Sequence, residues 1–251
     1  MAKASHDLGA PHDALTQTRA AYACADNAGH DGLRAWIRGL QALITYWSGR
    51  FDDSVRYARL GAEAAERSRG TASVWLASSE ARSLGALNRL EEAHNALNRA
   101  ADARDRVEPD ELDQLGSICT FSRPTQLYYA ADALAWGGVT EAGNAERMAV
   151  DALDALAAAP PADRGGFGNE QGALCDLAVA RLLRGELEGA EEAIAPVLAL
   201  PVEQRQRGIV GSMERVRNTL RALPAADHDS NARQLNDAIE TFMSQRLALP
   251  Q

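Results

Sequence analysis

Lysine is almost absent from this sequence. Lys3 is its single lysine, so nearly all of the positive charge is carried by arginine. There are 26 Lys and Arg residues against 35 Asp and Glu residues, and the formal net charge is −9. Sequence-independent binding of nucleic acid needs a surplus of clustered basic side chains. We therefore expect no direct nucleic-acid binding by this chain.

Aromatic and β-branched residues are also scarce. Aromatic residues make up 5% of the chain, whereas alanine, leucine and arginine dominate it. Such a composition favours helices over strands. We therefore predict an all-α fold with almost no strand.

Long apolar runs are missing as well. No segment has the uninterrupted apolar stretch of a membrane span, and the first residues lack the apolar centre of a signal peptide. Cysteines are three in number and widely separated, at Cys24, Cys119 and Cys175. An odd set in apolar helical surroundings predicts buried, reduced thiols. We expect a cytoplasmic protein that does not associate with membranes.

A pair of helices forms the unit that the rest of the chain repeats. Residues 33–47 are apolar at helical spacing, residues 48–51 form a glycine-containing turn, and helical patterning resumes at Asp52. Small residues at Ser54, Ala58 and Gly61 on the second helix let two antiparallel helices approach closely. Helical-hairpin repeats of about 34 residues stack in this way.

The turn recurs along the chain. Its four copies are placed at Gly49, Asn88, Gly137 and Gly185, the third fitting more loosely. An alanine lies seven residues before each of them, at Ala42, Ala81, Ala130 and Ala178. The predicted hairpins span residues 33–67, 71–103, 124–156 and 170–200. Capping helices are predicted at 11–27, 209–223 and 231–246, after a short polar lead, and residues 1–251 are expected to form a single domain.

This pattern resembles the tetratricopeptide repeat (TPR), which has a small residue at position eight, glycine at fifteen and alanine at twenty. The resemblance covers roughly residues 33–201 and implies a right-handed α-solenoid that binds a peptide, a protein or a small molecule in its concave groove. No cofactor is implied.

A narrower resemblance is carried by residues 25–36 and by residues 126–130. Both segments look like the TPR sensor half of bacterial helix-turn-helix regulators of the XRE type. In those regulators a DNA-binding domain precedes the repeats, and no such domain lies within these residues. The helix at 11–27 looks like the second helix of a repeat, so we expect either that the chain begins partway into a longer architecture or that its upstream part has been lost or removed.

In such stacks the first helix of each hairpin lines the groove. Residues one position after the packed alanine, such as Leu43 and Arg82, then face the ligand. With neighbouring polar and aromatic residues, the candidate ligand-binding residues are Arg38, Gln41, Trp75, Arg82, Arg123, Gln126, Tyr129, Asp132 and Asp176. Arginines beside aromatics grip carboxylates or flat ligands. The alternative is that the tryptophans, Trp36, Trp47, Trp75 and Trp136, belong to the core and the arginines pair with local acids.

The remaining motifs predict turns and loops and not metal-binding, phosphate-binding or catalytic sites. His6, His12, His30 and His228 are each followed by aspartate, yet they fall at predicted termini and loop edges without metal-ligand spacing. Residues 157–168 predict a loop, and their glycines lack the context of a phosphate loop. No metal or catalytic residue is predicted.

The leading functional hypothesis is the ligand-binding sensor module of a regulatory protein. One alternative is an enzyme, or an enzyme accessory protein, that uses the same groove for a small substrate and relies on Asp132 or Asp176. A second alternative is a homodimer formed through the apolar stripes of the two terminal helices.

Overall fold

A computed structural model describes residues 1–223 and 229–245 of the chain. The fold is all-helical, and the described residues contain no strand. The α-helices are α1 (Ala2–Asp7), α2 (Pro11–Asn27), α3 (Asp31–Tyr46), α4 (Phe51–Ala65), α5 (Ala72–Ala86), α6 (Leu90–Asp105), α7 (Glu111–Leu115), α8 (Arg123–Ala135), α9 (Ala142–Ala158), α10 (Gly168–Leu183), α11 (Leu187–Leu198), α12 (Arg207–Arg221) and α13 (Ser230–Ser244). None of these helices is long and apolar enough to cross a bilayer.

The predicted helices agree with the observed ones to within a few residues. The prediction for the first ten residues is wrong, because Ala2–Asp7 form a helix that packs on α2 and reaches α12. His228 and the end of the last predicted helix, at Arg246, lie outside the described residues.

The helices pair in chain order. Short turns join α3 to α4, α5 to α6, α8 to α9 and α10 to α11, and the two members of each pair pack on each other. The first helices also pack side by side in the order α3, α5, α8, α10, α12. A layer of first helices therefore forms, with the second helices behind it. Tight contact between α5 and α8 needs Gly85, where a Cβ atom would lie 2.4 Å from the carbonyl oxygen of Ala133.

Turn geometry corrects the repeat register in the third pair. A positive φ occurs at Gly49, Asn88 and Gly185, as aligned, but in the third pair it occurs at Gly138 (+65°) instead of Gly137. Counting back seven residues from Gly138 gives Ala131, which is fully buried, instead of Ala130, which is partly exposed. The position that follows is therefore Asp132.

The long connection before α8 is held by a small polar network. Asp110 caps α7 by accepting from the backbone N–H groups of Leu112 and Asp113, at 2.9 and 3.1 Å. The Asp113 carboxylate accepts in turn from the Thr71 backbone and hydroxyl, and the Phe121 N–H donates to that hydroxyl at 2.9 Å. This network fixes Phe121 beside the first helices.

Candidate functional site: an aromatic cavity over a buried ion-pair cluster

A cavity of about 180 Å³ lies against the layer of first helices. Its walls come from α3, α5 and α8, from the segment before α8, from the loop before α10 and from the start of α12. Helix α1 lies along one side. The aromatic residues of the main wall are Trp36, Trp47, Trp75, Phe121, Tyr128 and Tyr129.

Close packing fixes the orientation of these rings. Trp75 lies 4.4 Å from Trp36 between ring centroids and is stacked at 21° on Phe121. Gly39 on α3 makes room for the indole of Trp75, because a Cβ atom there would come within 2.6 Å of it. Phe121 meets Tyr129 edge to face at 5.1 Å. A flat apolar ligand would meet preformed ring surfaces here.

Arg82 is the charged residue that the main wall presents to the cavity. It extends from α5, is 2% exposed, and its guanidinium lies 4.0 Å from the Tyr46 ring centre and 4.2 Å from that of Tyr129. Contacts with aromatic faces favour a buried arginine but do not replace an anionic partner. That partner is Asp132 of α8.

Asp132 belongs to a chain of ion pairs behind the cavity. Its carboxylate pairs with Arg82 and with Arg215 of α12, and Arg215 also pairs with Asp176 of α10. Both aspartates have zero exposure, and Arg215 is 8% exposed. The Tyr46 hydroxyl donates to Asp132 at 2.9 Å and accepts from the Trp136 indole at 2.9 Å. One polar cluster thereby joins all five first helices, α3, α5, α8, α10 and α12.

The two aspartates of this cluster differ in acidity. Arg215 and Arg82 lower the pKa of Asp132 despite its burial. Burial raises the pKa of Asp176 well above its usual range. Arg215 opposes this rise, whereas the negative charge of Asp132 adds to it. Asp132 therefore carries its negative charge more readily than Asp176 does.

Helix α1 brings a second buried polar group to the cavity. His6 is 2% exposed, and its Nδ1 has no hydrogen-bond partner among the described residues. Burial, with the positive charges of Lys3 and Arg207, lowers the pKa of His6 to about 3. His6 is therefore neutral at pH 7 and lies in a positive local potential.

The glycine-rich loop before α10 lines the opening. The Asn169 side chain donates to the Thr125 hydroxyl at 2.9 Å and to the Arg164 carbonyl at 3.2 Å. These bonds hold residues 165–169 against the cavity, where they contribute to its lining. Phe167 is nevertheless 47% exposed at the loop tip.

The nine predicted site residues fall into three places. Trp75, Arg82 and Tyr129 line the cavity. Asp132 and Asp176 lie behind it as buried ion-pair partners, so no face of either is open to a ligand in this structure. The other four do not border the cavity: they are Arg38, Gln41, Arg123 and Gln126.

Those four residues have structural partners. Arg38 donates to Gln41 at 2.8 Å and covers the Tyr22 ring at 3.8 Å. Gln126 donates to a backbone carbonyl of α6 at 3.1 Å and accepts from Arg123 at 3.2 Å. Their role in a ligand groove stays a prediction, and none of the four lines the cavity beside Arg82.

Sequence reasoning missed His6, whose helix is too short to give a periodic signal. It also missed Arg215, for which a signal existed: a basic residue on the apolar stripe of α12, beside Met213 and Val216, needs a buried partner. His6 was placed at a polar terminus and is instead buried. His30 does act as a cap, since its Nδ1 accepts from the Leu33 N–H at 3.2 Å.

The cysteines also depart from expectation. Cys175 is buried, but Cys24 is exposed and Cys119 is partly exposed. Among the described residues, no group of three His, Cys, Asp or Glu side chains is placed to hold a metal ion.

No protein-family model matches the chain, and a search of curated proteins finds no significant match. The geometry of the cavity therefore carries the functional inference.

Proposed function

We propose that this chain is a TPR-like right-handed solenoid that acts as the ligand-binding module of a regulatory protein, with the aromatic cavity as its binding site. The solenoid is supported by the paired helices, the side-by-side first helices and the four equivalent left-handed turns. The regulatory role rests on the resemblance to sensor halves of bacterial regulators. The cavity is the observation that carries the binding function.

The size of the cavity favours a small molecule over a peptide. Pockets for drug-sized ligands occupy about 300–1,000 Å³, and an engineered cavity of about 150 Å³ takes up benzene. At about 180 Å³, this cavity is near the smaller figure. Helix α1 and the loop at residues 165–169 also line the cavity.

Filling the cavity tests this proposal. Leu43 lines it from α3, whereas Leu60 is 48% exposed on α4 and does not border it. Native mass spectrometry of the purified chain should reveal a retained small molecule that Leu43→Trp loses and Leu60→Trp keeps. Retention by Leu43→Trp, with wild-type helicity, would place the ligand elsewhere and overturn the assignment.

The sensor role has its own test. Ligand binding should slow amide hydrogen exchange in α1 and in residues 165–169, because both border the cavity. Binding that leaves exchange unchanged throughout the chain would support a passive site and refute a sensor.

A further inference from the structure

We infer that the ligand of this cavity is a single-ring aromatic compound with one anionic group, of the aryl carboxylate class. This inference rests on the proposed binding function and adds the chemistry of the ligand. Its three supports are the space and shape of the walls, the charge around the cavity, and two buried polar groups that lack partners.

The walls fit one flat ring. Trp36, Trp75 and Phe121 present ring surfaces to the same space, and that space is close in volume to one that encloses benzene. Aromatic rings pair with another ring in stacked or edge-to-face geometry at centroid separations of about 4.5–7 Å. A saturated ring of similar size would lose these preferred geometries.

The surroundings of the cavity are positive although the chain carries a net charge of −9. At one end, Lys3 pairs with Asp7 at 2.6 Å, and no carboxylate among the described residues pairs with Arg207, whose guanidinium donates to the Trp47 carbonyl at 3.1 Å. Burial is the main cause of the depressed pKa of His6, and the charges of Lys3 and Arg207 lower it further. On the main wall, Arg82 brings a guanidinium to the cavity and has Asp132 as its ion-pair partner. An anion in the cavity would offset the charge of Arg207.

Two polar side chains are buried at the cavity without complete hydrogen bonding. Arg82 Nε and His6 Nδ1 both lack partners among the described residues, and both residues are 2% exposed and line the cavity. Buried polar atoms are almost always paired, so an unpaired one at a cavity points to a partner from outside the chain. A carboxylate accepts strong bonds from a guanidinium N–H and from an imidazole N–H.

Ligand binding should therefore also raise the pKa of His6. A carboxylate near the imidazole stabilises its protonated form, which Lys3 and Arg207 disfavour in the empty cavity. The pKa of His6 should rise above about 3 when the cavity is filled. A neutral ligand of equal size leaves that positive potential in place and gives no such rise.

Calorimetric titration with benzoate, benzamide and cyclohexanecarboxylate separates the charge from the ring. We expect benzoate to bind at least about tenfold more tightly than either of the others, since each loses one of the two features. His6→Leu should weaken benzoate binding about tenfold, whereas His12→Leu, at an exposed position of α2, should leave it unchanged. NMR titration of the His6 ring should show its pKa rising with benzoate and not with benzamide.

The outcomes distinguish the inference from the function on which it rests. Benzamide binding as tightly as benzoate, without a rise in the His6 pKa, would overturn the anionic assignment and leave the cavity as a binding site. Cyclohexanecarboxylate binding as tightly as benzoate would overturn the aromatic one. Failure of all three probes, together with a retained ligand that Leu43→Trp does not displace, would overturn the proposed function itself.

Discussion

Replacement of Asp132 by asparagine should be among the most destabilising isosteric changes in this protein. Asp132 has zero exposure, pairs with Arg82 and Arg215, and accepts from Tyr46. Asparagine keeps the shape and an acceptor for Tyr46 but removes the charge that both arginines need. Two charge-assisted contacts of about 1.5–3 kcal/mol each are lost, which agrees with the about 3–5 kcal/mol expected for breaking a buried ion pair.

Asp176→Asn is the matched control. Its carboxyl is equally buried and its pKa is raised by burial, but it pairs with Arg215 alone, and Arg215 retains Asp132 when Asp176 is replaced. Replacing it should therefore cost less than replacing Asp132, because one charge-assisted contact of about 1.5–3 kcal/mol is lost instead of two. In Asp132→Asn, by contrast, Arg215 keeps Asp176 but Arg82 loses its carboxylate partner.

Thermal and denaturant unfolding measure both variants. A loss of about 3–5 kcal/mol corresponds to a fall in Tm of about 6–20 °C for a chain of this size. The two aspartates should also affect the pH dependence of the unfolding free energy in opposite directions. Stability from Asp132 is present above its unfolded pKa and is lost as pH falls through its lower folded pKa. The raised pKa of Asp176 costs stability as pH rises from its unfolded value towards its folded value. A loss in Asp176→Asn equal to or larger than that in Asp132→Asn would refute this account of the cluster.

Three further predictions concern packing, titration and turns. Gly39→Ala should cost about 1–3 kcal/mol and change tryptophan fluorescence, because the new methyl group displaces Trp75; unchanged emission and stability would contradict the close packing. His6→Leu should remove part of the stability loss between pH 6 and 4, since its lowered pKa costs stability as pH falls below the unfolded value of about 6.5; equal pH profiles would count against a buried neutral His6. Asn88 has a φ of 57°, so Asn88→Gly should leave the unfolding free energy nearly unchanged and Asn88→Ala should lower it by about 1 kcal/mol. Equal losses of stability in the two variants would argue against a left-handed turn.

The helices were predictable because their signals are local. Apolar periodicity and left-handed turn residues placed four hairpins close to their observed positions. In the third hairpin the adjacent glycines Gly137 and Gly138 gave no local reason to choose between them, and the one-residue error moved the packed alanine from Ala131 to Ala130. Only the observed φ of Gly138 decides the register.

Part of the cavity lining coincides with residues predicted from the sequence. Trp75, Arg82 and Tyr129 were predicted because the first helix of each hairpin was assumed to line a groove, and all three line the cavity. Arg123 and Gln126 share that helix-based argument, but Gln126 bonds to α6, where it donates to the Ala100 carbonyl and accepts from Arg104 at 2.9 Å. The face of a first helix on which a residue lies can be predicted only once the repeat register is known.

The sequence by itself determined the helical content, the order of the pairs and the positions of most turns, since these depend on residues within a few positions of each other. The tertiary structure decided which charges meet. Asp132 and Arg215 are 83 residues apart, and Asp176 and Arg215 are 39 apart, so their pairing depends on how successive first helices stack. The burial of His6 likewise depends on where α1 packs. Local periodicity carries no information on these ion pairs or on the burial of His6, because both depend on how several helices pack together.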